Sequence, residues 1–292
     1  MDYLNRFEAH LDREKKVSKA TLSAYMNDIE EFEAYIKSKG KALERAQNED
    51  VKAFIDKLER DGRSSSTVNR KLASLRAFYA FMKEDGRIGS SPVYGIKTTR
   101  VERENLEYLS TEEVEKLLAA PDDSDKGLRD RALLELMYAT GLKASEVCDL
   151  KIKDINFNIG YVNILDSSKP RVVPVGKIAR AAIEEYLEKS RPVLLSGKED
   201  NGVLFLSYLG EKLTRQGIWK ILKYYAAKAE IKTKISPQIL RNSFAAHLIQ
   251  NGADLKSLQE LLGHEDITAT KIYLSVTKNR IMDVYGKAFP RA

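Results

Sequence analysis

Residues 235–274 read ISPQILRNSFAAHLIQNGADLKSLQELLGHEDITATKIYL, and the order of signals in this stretch decides how the C-terminal part of the chain is built. Ser236 and Pro237 have the character of an N-cap and a first helical residue: a hydroxyl that accepts an orphan amide, then a ring whose missing N–H is not needed at that position. Arg241 then falls near the start of a helix, where unpaired amides and the helix dipole favour an anion such as phosphate. An arginine there also reads as half of a surface ion pair, an interaction of little energetic weight. His247, on the same helix in the apolar run SFAAHLI, reads as a packed histidine. Gly263 ends the next helix and turns His264 outward, and Asp266 can cap a short helix that ends in KIYL and holds Tyr273.

Upstream, STEEVEKLLAA opens with Ser110 and Glu113 at capping-box spacing, each able to satisfy the other's orphan amide. Residues 128–140 form an apolar helix stopped by Gly141. YVNIL, RVVPV and VLFLS are β-like, and DSSKP joins the first two into a hairpin. Helices return from residue 214. The first hundred residues read as four helices, marked by apolar residues at three-four spacing: Leu22, Tyr25, Met26, Ile29, Phe32, Tyr35 and Ile36, then Val51, Phe54, Ile55 and Leu58, then Val68, Leu72, Leu75, Tyr79 and Met82. The polar, basic stretch SSPVYGIKTTRVEREN reads as a linker. The expected organisation is a helical domain over 1–90, a linker over 91–105 and a mainly α domain with a small β-sheet over 106–292.

Charge is uneven along the chain. Residues 62–103 carry 9 basic and 3 acidic residues, which accounts for the whole net charge of +6. Arg63, Arg70, Lys71 and Arg76 lie in or just before the helix over 65–83 and largely off its apolar stripe, where they read as phosphate or groove contacts. A solvated charged face is the plainer reading of the same residues. One cysteine, Cys148, excludes an intrachain disulfide, and three histidines without metal-ligand spacing point away from structural zinc. Neither a P-loop, a dinucleotide fingerprint nor a nucleophile elbow is present, so any chemistry is expected to be cofactor-free and metal-free. No apolar run approaches the roughly 20 residues of a membrane span, and the N-terminus lacks a signal-peptide block, which predicts a cytoplasmic protein.

YATGLKASEVCDL, SPQILRNSFAAHLIQNGADLKSLQELLGH, KIYL and the closing KAFPRA, in that order and spacing, resemble the tyrosine recombinase (phage integrase) family, and within it the Xer group. TLSAYMNDIEEFEAYI and SSSTVNRKLASLRAFYAF resemble the same family's core-binding domain. The resemblance implies a helical, SAM-like core-binding domain joined to a recombinase catalytic domain. It further implies a tyrosine that attacks a DNA phosphate, forming a 3′-phosphotyrosyl bond and releasing a 5′-hydroxyl without ATP or metal.

By this resemblance Tyr273 is the nucleophile, Arg241 the second phosphate-clamping arginine and His264 a donor to the scissile phosphate. A tyrosine hydroxyl of pKa ~10 is ionised in only about one molecule in a thousand at neutral pH, a deficit of roughly 4 kcal/mol that neighbouring cations must offset. Three positions depart from the family pattern. Lys143 replaces the first arginine, keeping the charge but losing the bidentate fork. Gln238 stands where a histidine is common and cannot move a proton. Asp166 occupies the aligned place of the hairpin lysine, leaving Lys169 as the candidate acid for the departing 5′-oxygen, with Arg171 beside it as a phosphate contact. Glu146, where relatives keep a bracing acid, is equally explained by the helix dipole.

The resemblance implies double-stranded DNA carrying a dif-like site as partner, a homo-oligomer (a tetramer on two sites) assembled through the amphipathic tail 276–292, and room for an accessory translocase. A mobile-element integrase of the same chemistry and a non-cleaving DNA-binding homologue are the competing expectations.

Overall fold

The computed structural model describes residues 2–98, 106–165 and 170–263. The chain divides into two compact units, Met1–Glu104 and Asn105–Ala292.

The first unit contains α1 (Asp2–Ala9), followed by a π-helical turn over His10–Glu14, then α2 (Lys19–Ser38), α3 (Asn48–Arg60) and α4 (Ser65–Glu84). Two serines start the long helices. Ser18 accepts the amide of Thr21 and Ser64 that of Thr67, the N-cap bond that satisfies an otherwise orphan donor. The apolar stripes converge on an aromatic centre of Phe7, Phe32, Phe54, Phe78 and Tyr79. Phe32 meets Phe54 edge-on at 5.0 Å and Phe7 meets Phe78 at 5.2 Å. The Tyr79 hydroxyl donates to the Leu43 carbonyl at 3.0 Å, so its burial leaves no polar atom unmet.

The stretch that reads as a linker begins inside this unit. Val93 and Ile96 belong to its apolar core, Asn48 Nδ2 donates to the carbonyls of Pro92 and Tyr94, and an Arg76 guanidinium nitrogen donates to the Ile96 carbonyl at 2.6 Å. Two buried apolar residues, with backbone carbonyls beside them held by Asn48 and Arg76, fold residues 91–96 against α3 and α4.

The second unit runs α5 (Thr111–Ala119), α6 (Asp125–Thr140), α7 (Ala144–Asp149), β1 (Ile155–Asn156), β2 (Tyr161–Ile164), β3 (Arg171–Pro174), α8 (Lys177–Glu185), α9 (Arg191–Leu195), α10 (Arg215–Lys228), α11 (Pro237–Gln250) and α12 (Leu255–Leu262). The Ser110–Glu113 capping box forms in both directions. The strands make one antiparallel sheet in the order β1-β2-β3, with Val162 opposite Ile155 on one side and Val173 on the other. VLFLS, expected as a strand, is not one. Residues 203–206 are buried, but the chain bends at Leu204 and they form only isolated bridges, Lys151 to Val203 and Leu206 to Lys212. An apolar run threading a core produces the same composition as a strand, and only the missing ladder tells them apart.

The central element is α11, where ten residues from Ile239 to Ile249 are buried on every face. A helix buried all round must satisfy its own polar side chains. Asn242 Nδ2 donates to the Glu107 carbonyl at 3.0 Å, Ser243 Oγ accepts the Leu109 amide at 2.9 Å, and His247 Nδ1 pairs with the Tyr138 hydroxyl at 2.9 Å. The first two of these bonds hold residues 107–109 along the helix. Among the described residues no helix is long and apolar enough to cross a membrane.

Candidate active site

Ser236 and Pro237 start α11 as their chemistry dictates, with Ser236 Oγ accepting the Ile239 amide at 3.2 Å. One turn on, Arg241 is buried, 3% exposed. Its guanidinium donates to the carbonyl of Gly141 and, at 2.7 Å, to that of Leu262. Gly141 caps the end of α6 and Leu262 is the last residue of α12. Arg241 therefore lies between two helix C-termini, whose unpaired carbonyls carry the partial negative charge that favours a cation.

A second arginine completes the arrangement. Arg171, the first residue of β3, grips Glu146 through both carboxylate oxygens, at 2.8 and 2.9 Å, and donates its Nε to the Leu261 carbonyl at 2.7 Å. Glu146 Oε2 also accepts the amide of Lys143, 2.8 Å away, which fixes the start of α7. Burial alone would push the Glu146 carboxyl up. The Arg171 fork, the Lys143 amide and the charges of Arg171 and Arg241 outweigh that and hold it below the usual carboxylate range. Arg171 pairs directly with Glu146, and Arg241 adds a second buried guanidinium whose charge also acts on that carboxylate.

Lys143 is exposed, and no ion pair joins it to an acid among the described residues. Gln238 is exposed at the start of α11, and its Nε2 donates to Asn242 Oδ1 at 2.8 Å. His264, Tyr273, Lys169 and Asp166 lie outside the described residues. The chain positions next to two of them are described: Gly263, which ends α12 with φ 66°, precedes His264, and Arg171 follows Lys169 by two residues. Arg171 is the residue expected as a phosphate contact beside Lys169. Its side chain is 7% exposed, and both the fork and Nε are occupied by Glu146 and Leu261. Sequence spacing holds no trace of this pairing, since its partner lies 25 residues away.

The basic helix sorts in the same way. Lys71, expected as a phosphate or groove contact, is buried, 6% exposed, and its ammonium is shared between Asp28 at 2.8 Å and Glu31 at 2.7 Å. Arg70 reaches the same Asp28 but remains 44% exposed. Asp28, 2% exposed, would be raised by burial, yet donors from Arg70, Lys71 and Ser74 hold it below its ordinary range. Arg63 and Arg76 are exposed, Arg76 while bonded to the Ile96 carbonyl.

A second basic surface escaped the sequence reading. Helix α10, RQGIWKILKYYAAK, contains no acid. It exposes Arg215, Gln216, Trp219, Lys220, Lys223 and Tyr224, with the Lys223 ammonium 5.2 Å over the Trp219 ring. The signal was an acid-free run with aromatics interleaved among cations. Among the described residues no group of three His, Cys, Asp or Glu side chains is arranged to hold a metal ion.

Residues 107–280 match the Phage integrase family, and residues 4–86 match its N-terminal SAM-like domain. The chain belongs to the tyrosine recombinase, or phage integrase, family. It is 40% identical to tyrosine recombinase XerD of Listeria innocua over 295 residues, covering all of this chain and 99% of that one. It is 41% identical to a putative tyrosine recombinase of Caldanaerobacter subterraneus over 290 residues, covering 99% and 98%. Among solved structures, the XerH recombinase bound to palindromic difH in a post-cleavage complex superposes with a TM-score of 0.75 at 22% identity, covering 96% of this chain and 83% of that chain. A lambda integrase dimer on a COC′ core site gives 0.72 at 18%, covering 93% and 94%. At these identities the structural likeness concerns the fold. The recombinase fold accounts for the helical first unit and for a mainly helical second unit with a three-stranded sheet.

Proposed function

We propose that this recombinase acts in the cytoplasm on duplex DNA carrying a dif-like site, breaking and rejoining strands through a 3′-phosphotyrosyl bond made by Tyr273. The observation that carries the reading is Arg241: a buried guanidinium held by Gly141, two residues before Lys143, and by Leu262, two residues before His264. A rigid arginine with donors oriented in advance stabilises charge on a pentacoordinate phosphorus without reorganising as the charge develops. Lys143 adds a second, mobile cation, and His264 donates to a phosphate oxygen. Together they lower the cost of ionising the tyrosine, roughly 4 kcal/mol at neutral pH. Lys169 protonates the departing 5′-oxygen, and Gln238 contributes a neutral hydrogen bond to phosphate.

The two units grip the duplex through Arg63, Arg70 and Arg76 of the first and the acid-free face of α10 in the second. Four protomers hold two sites, joined through residues 276–292. The division at 1–90, 91–105 and 106–292 is the functional one in this reading, although residues 91–96 pack with the first unit.

The test is covalent trapping on a nicked dif-like duplex, read on a denaturing gel. Wild type forms a 3′-linked adduct and Tyr273→Phe forms none. A protein that binds the duplex tightly but yields no adduct, in wild type or in Lys143→Arg, overturns cleavage and leaves a DNA-binding homologue.

A further inference from the structure

Arg171 occupies a place from which three chain segments are held at once. Its guanidinium is bidentate on Glu146, whose Oε2 also receives the Lys143 amide. Its Nε meets the Leu261 carbonyl in the last turn of α12. Its own backbone begins β3, two residues beyond Lys169. Side chains of both partners are nearly excluded from solvent, 7% for Arg171 and 6% for Glu146. A buried ion pair of this kind adds little net stability over an apolar replacement, so its physical value lies in geometry.

Gly263 gives an independent sign of the same device. It adopts φ 66°, which already favours glycine, and a Cβ built there would lie 2.8 Å from Arg171 Nη1, 3.0 Å from Cζ and 3.1 Å from Nε. The guanidinium therefore lies directly over the backbone of the residue that precedes His264. Gly263 is favoured by its backbone angle, and a side chain there would have to displace the Arg171 guanidinium. Only a planar fork can meet both Glu146 oxygens and turn a third N–H to Leu261. A lysine ammonium, compact and flexible, reproduces one of these bonds at a time.

We infer that Arg171 is a positioning residue, which sets the start of α7, the start of β3 and the end of α12 against one another through Glu146, Leu261 and Gly263, and makes no contact with DNA. The inference rests on the recombinase reading for its catalytic consequence, but not for its structural one. Displacing a catalytic group by about 1 Å costs on the order of a hundredfold in rate.

The experiment uses the full-length protein and compares wild type, Arg171→Gln, Arg171→Lys, Gly263→Ala and the double variant. On the nicked dif-like duplex, Arg171→Gln leaves affinity within about twofold and the salt dependence of binding unchanged, while adduct formation at saturating protein slows about a hundredfold. Arg171→Lys recovers less than a tenth of the loss. Gly263→Ala reproduces the defect, and the double variant is no worse than either single one, because both break the same contact. Hydrogen exchange without DNA rises about tenfold at the α12 C-terminus in both single variants. A tenfold loss of affinity with a shallower salt slope and an unchanged rate at saturation would identify a phosphate contact and overturn the proposal. So would unchanged exchange at the α12 C-terminus, whether or not the wild type cleaves. Failure of the wild type to form an adduct counts against the recombinase reading alone, and exchange then decides the role of Arg171. If Arg171→Gln does not fold, Gly263→Ala and Arg171→Lys carry both measurements.

Discussion

Arg241 and Gly141, 100 residues apart in sequence, are joined by a hydrogen bond from the guanidinium to the glycine carbonyl. Gly141 can present that carbonyl because it ends α6 in the left-handed region, φ 60°, with its own amide returned to the Met137 carbonyl. The stop signal of one helix is thus also the anchor of the arginine on another. The Leu262 carbonyl, at the end of α12, holds the same guanidinium from the other side. Two helix ends partly neutralise a buried charge and leave its direction fixed.

Gly141→Ala is the sharpest probe of this anchor. A Cβ there would stand 2.3 Å from Phe244 Cδ1, on a backbone angle that L side chains rarely adopt. The left-handed conformation costs about 1–2 kcal/mol and the overpacking about 1–3 kcal/mol more. Urea unfolding is expected to show a loss of at least about 2 kcal/mol in the second unit, and adduct formation is expected to fall more steeply than folded fraction. A stable variant with wild-type cleavage would show that the Gly141 carbonyl does not orient Arg241.

Lys143 tests the departure from arginine. Its amide is fixed by Glu146 while the residue is exposed, so a substitution there changes the cation without disturbing the anchor. Removing one charge-stabilising donor typically costs about 10²–10³ in rate. Single-turnover cleavage should drop by that order in Lys143→Ala and return to or above the wild-type rate in Lys143→Arg, whose fork can donate twice. Equal rates for all three proteins would remove Lys143 from the chemistry.

What the sequence made legible was local. Ser110 and Glu113, Ser236 and Pro237, Gly141 and Gly263 each act on neighbours within one turn, and each forms the cap or stop its chemistry implies. Apolar spacing likewise revealed the long helices. What escaped depends on partners distant in the chain. Lys71 looked free because Asp28 lies 43 residues away, and Arg171 looked free because Glu146 lies 25 residues away. Residues 203–206 looked like a strand because burial, rather than pairing, selected their composition. The candidate arginine and lysine could be named from motif order, but the carbonyls that aim Arg241 could not, since backbone carbonyls have no residue type.

The burial of Lys71 between two carboxylates has a measurable consequence in DNA binding. A lysine enclosed by Asp28 and Glu31 releases no counterions when DNA binds, whereas an exposed arginine does. Arg63→Ala is expected to weaken binding to specific and random duplexes alike and to reduce the salt slope by about 1. Asp28→Asn, which leaves Lys71 and Arg70 without their shared buried carboxylate, is expected to destabilise the first unit by about 3 kcal/mol while leaving the slope nearly unchanged. A reduction of the salt slope in Lys71→Ala as large as in Arg63→Ala would return Lys71 to the interface.

His247 links the second unit to pH. The imidazole is buried, bonded through Nδ1 to the Tyr138 hydroxyl and packed edge-on against Tyr108 and Tyr138. Burial lowers its pKa from 6.5, and the hydrogen bond to the Leu109 backbone opposes this only in part. The folded state therefore takes up its proton at lower pH than the unfolded chain does. Above about pH 6.5 both states are neutral here and the contribution is complete. As pH falls below 6.5 the unfolded chain binds the proton first, and stability is lost until the folded pKa is reached. The single tryptophan, Trp219 in α10, reports unfolding of this unit. Its urea midpoint is expected to fall between pH 7 and pH 5 by more in wild type than in His247→Gln, with a limiting difference in slope of about 1.4 kcal/mol per pH unit for one proton. The Glu146 carboxyl, held low, acts in a separate window. Its contribution is present above about pH 4.5 and is lost only as pH falls through its lowered folded value, so the two groups separate on the pH axis. Parallel midpoints for wild type and His247→Gln across pH 7 to 5 would mean that His247 titrates alike in both states, and that the hold on residues 107–109 does not depend on a neutral ring.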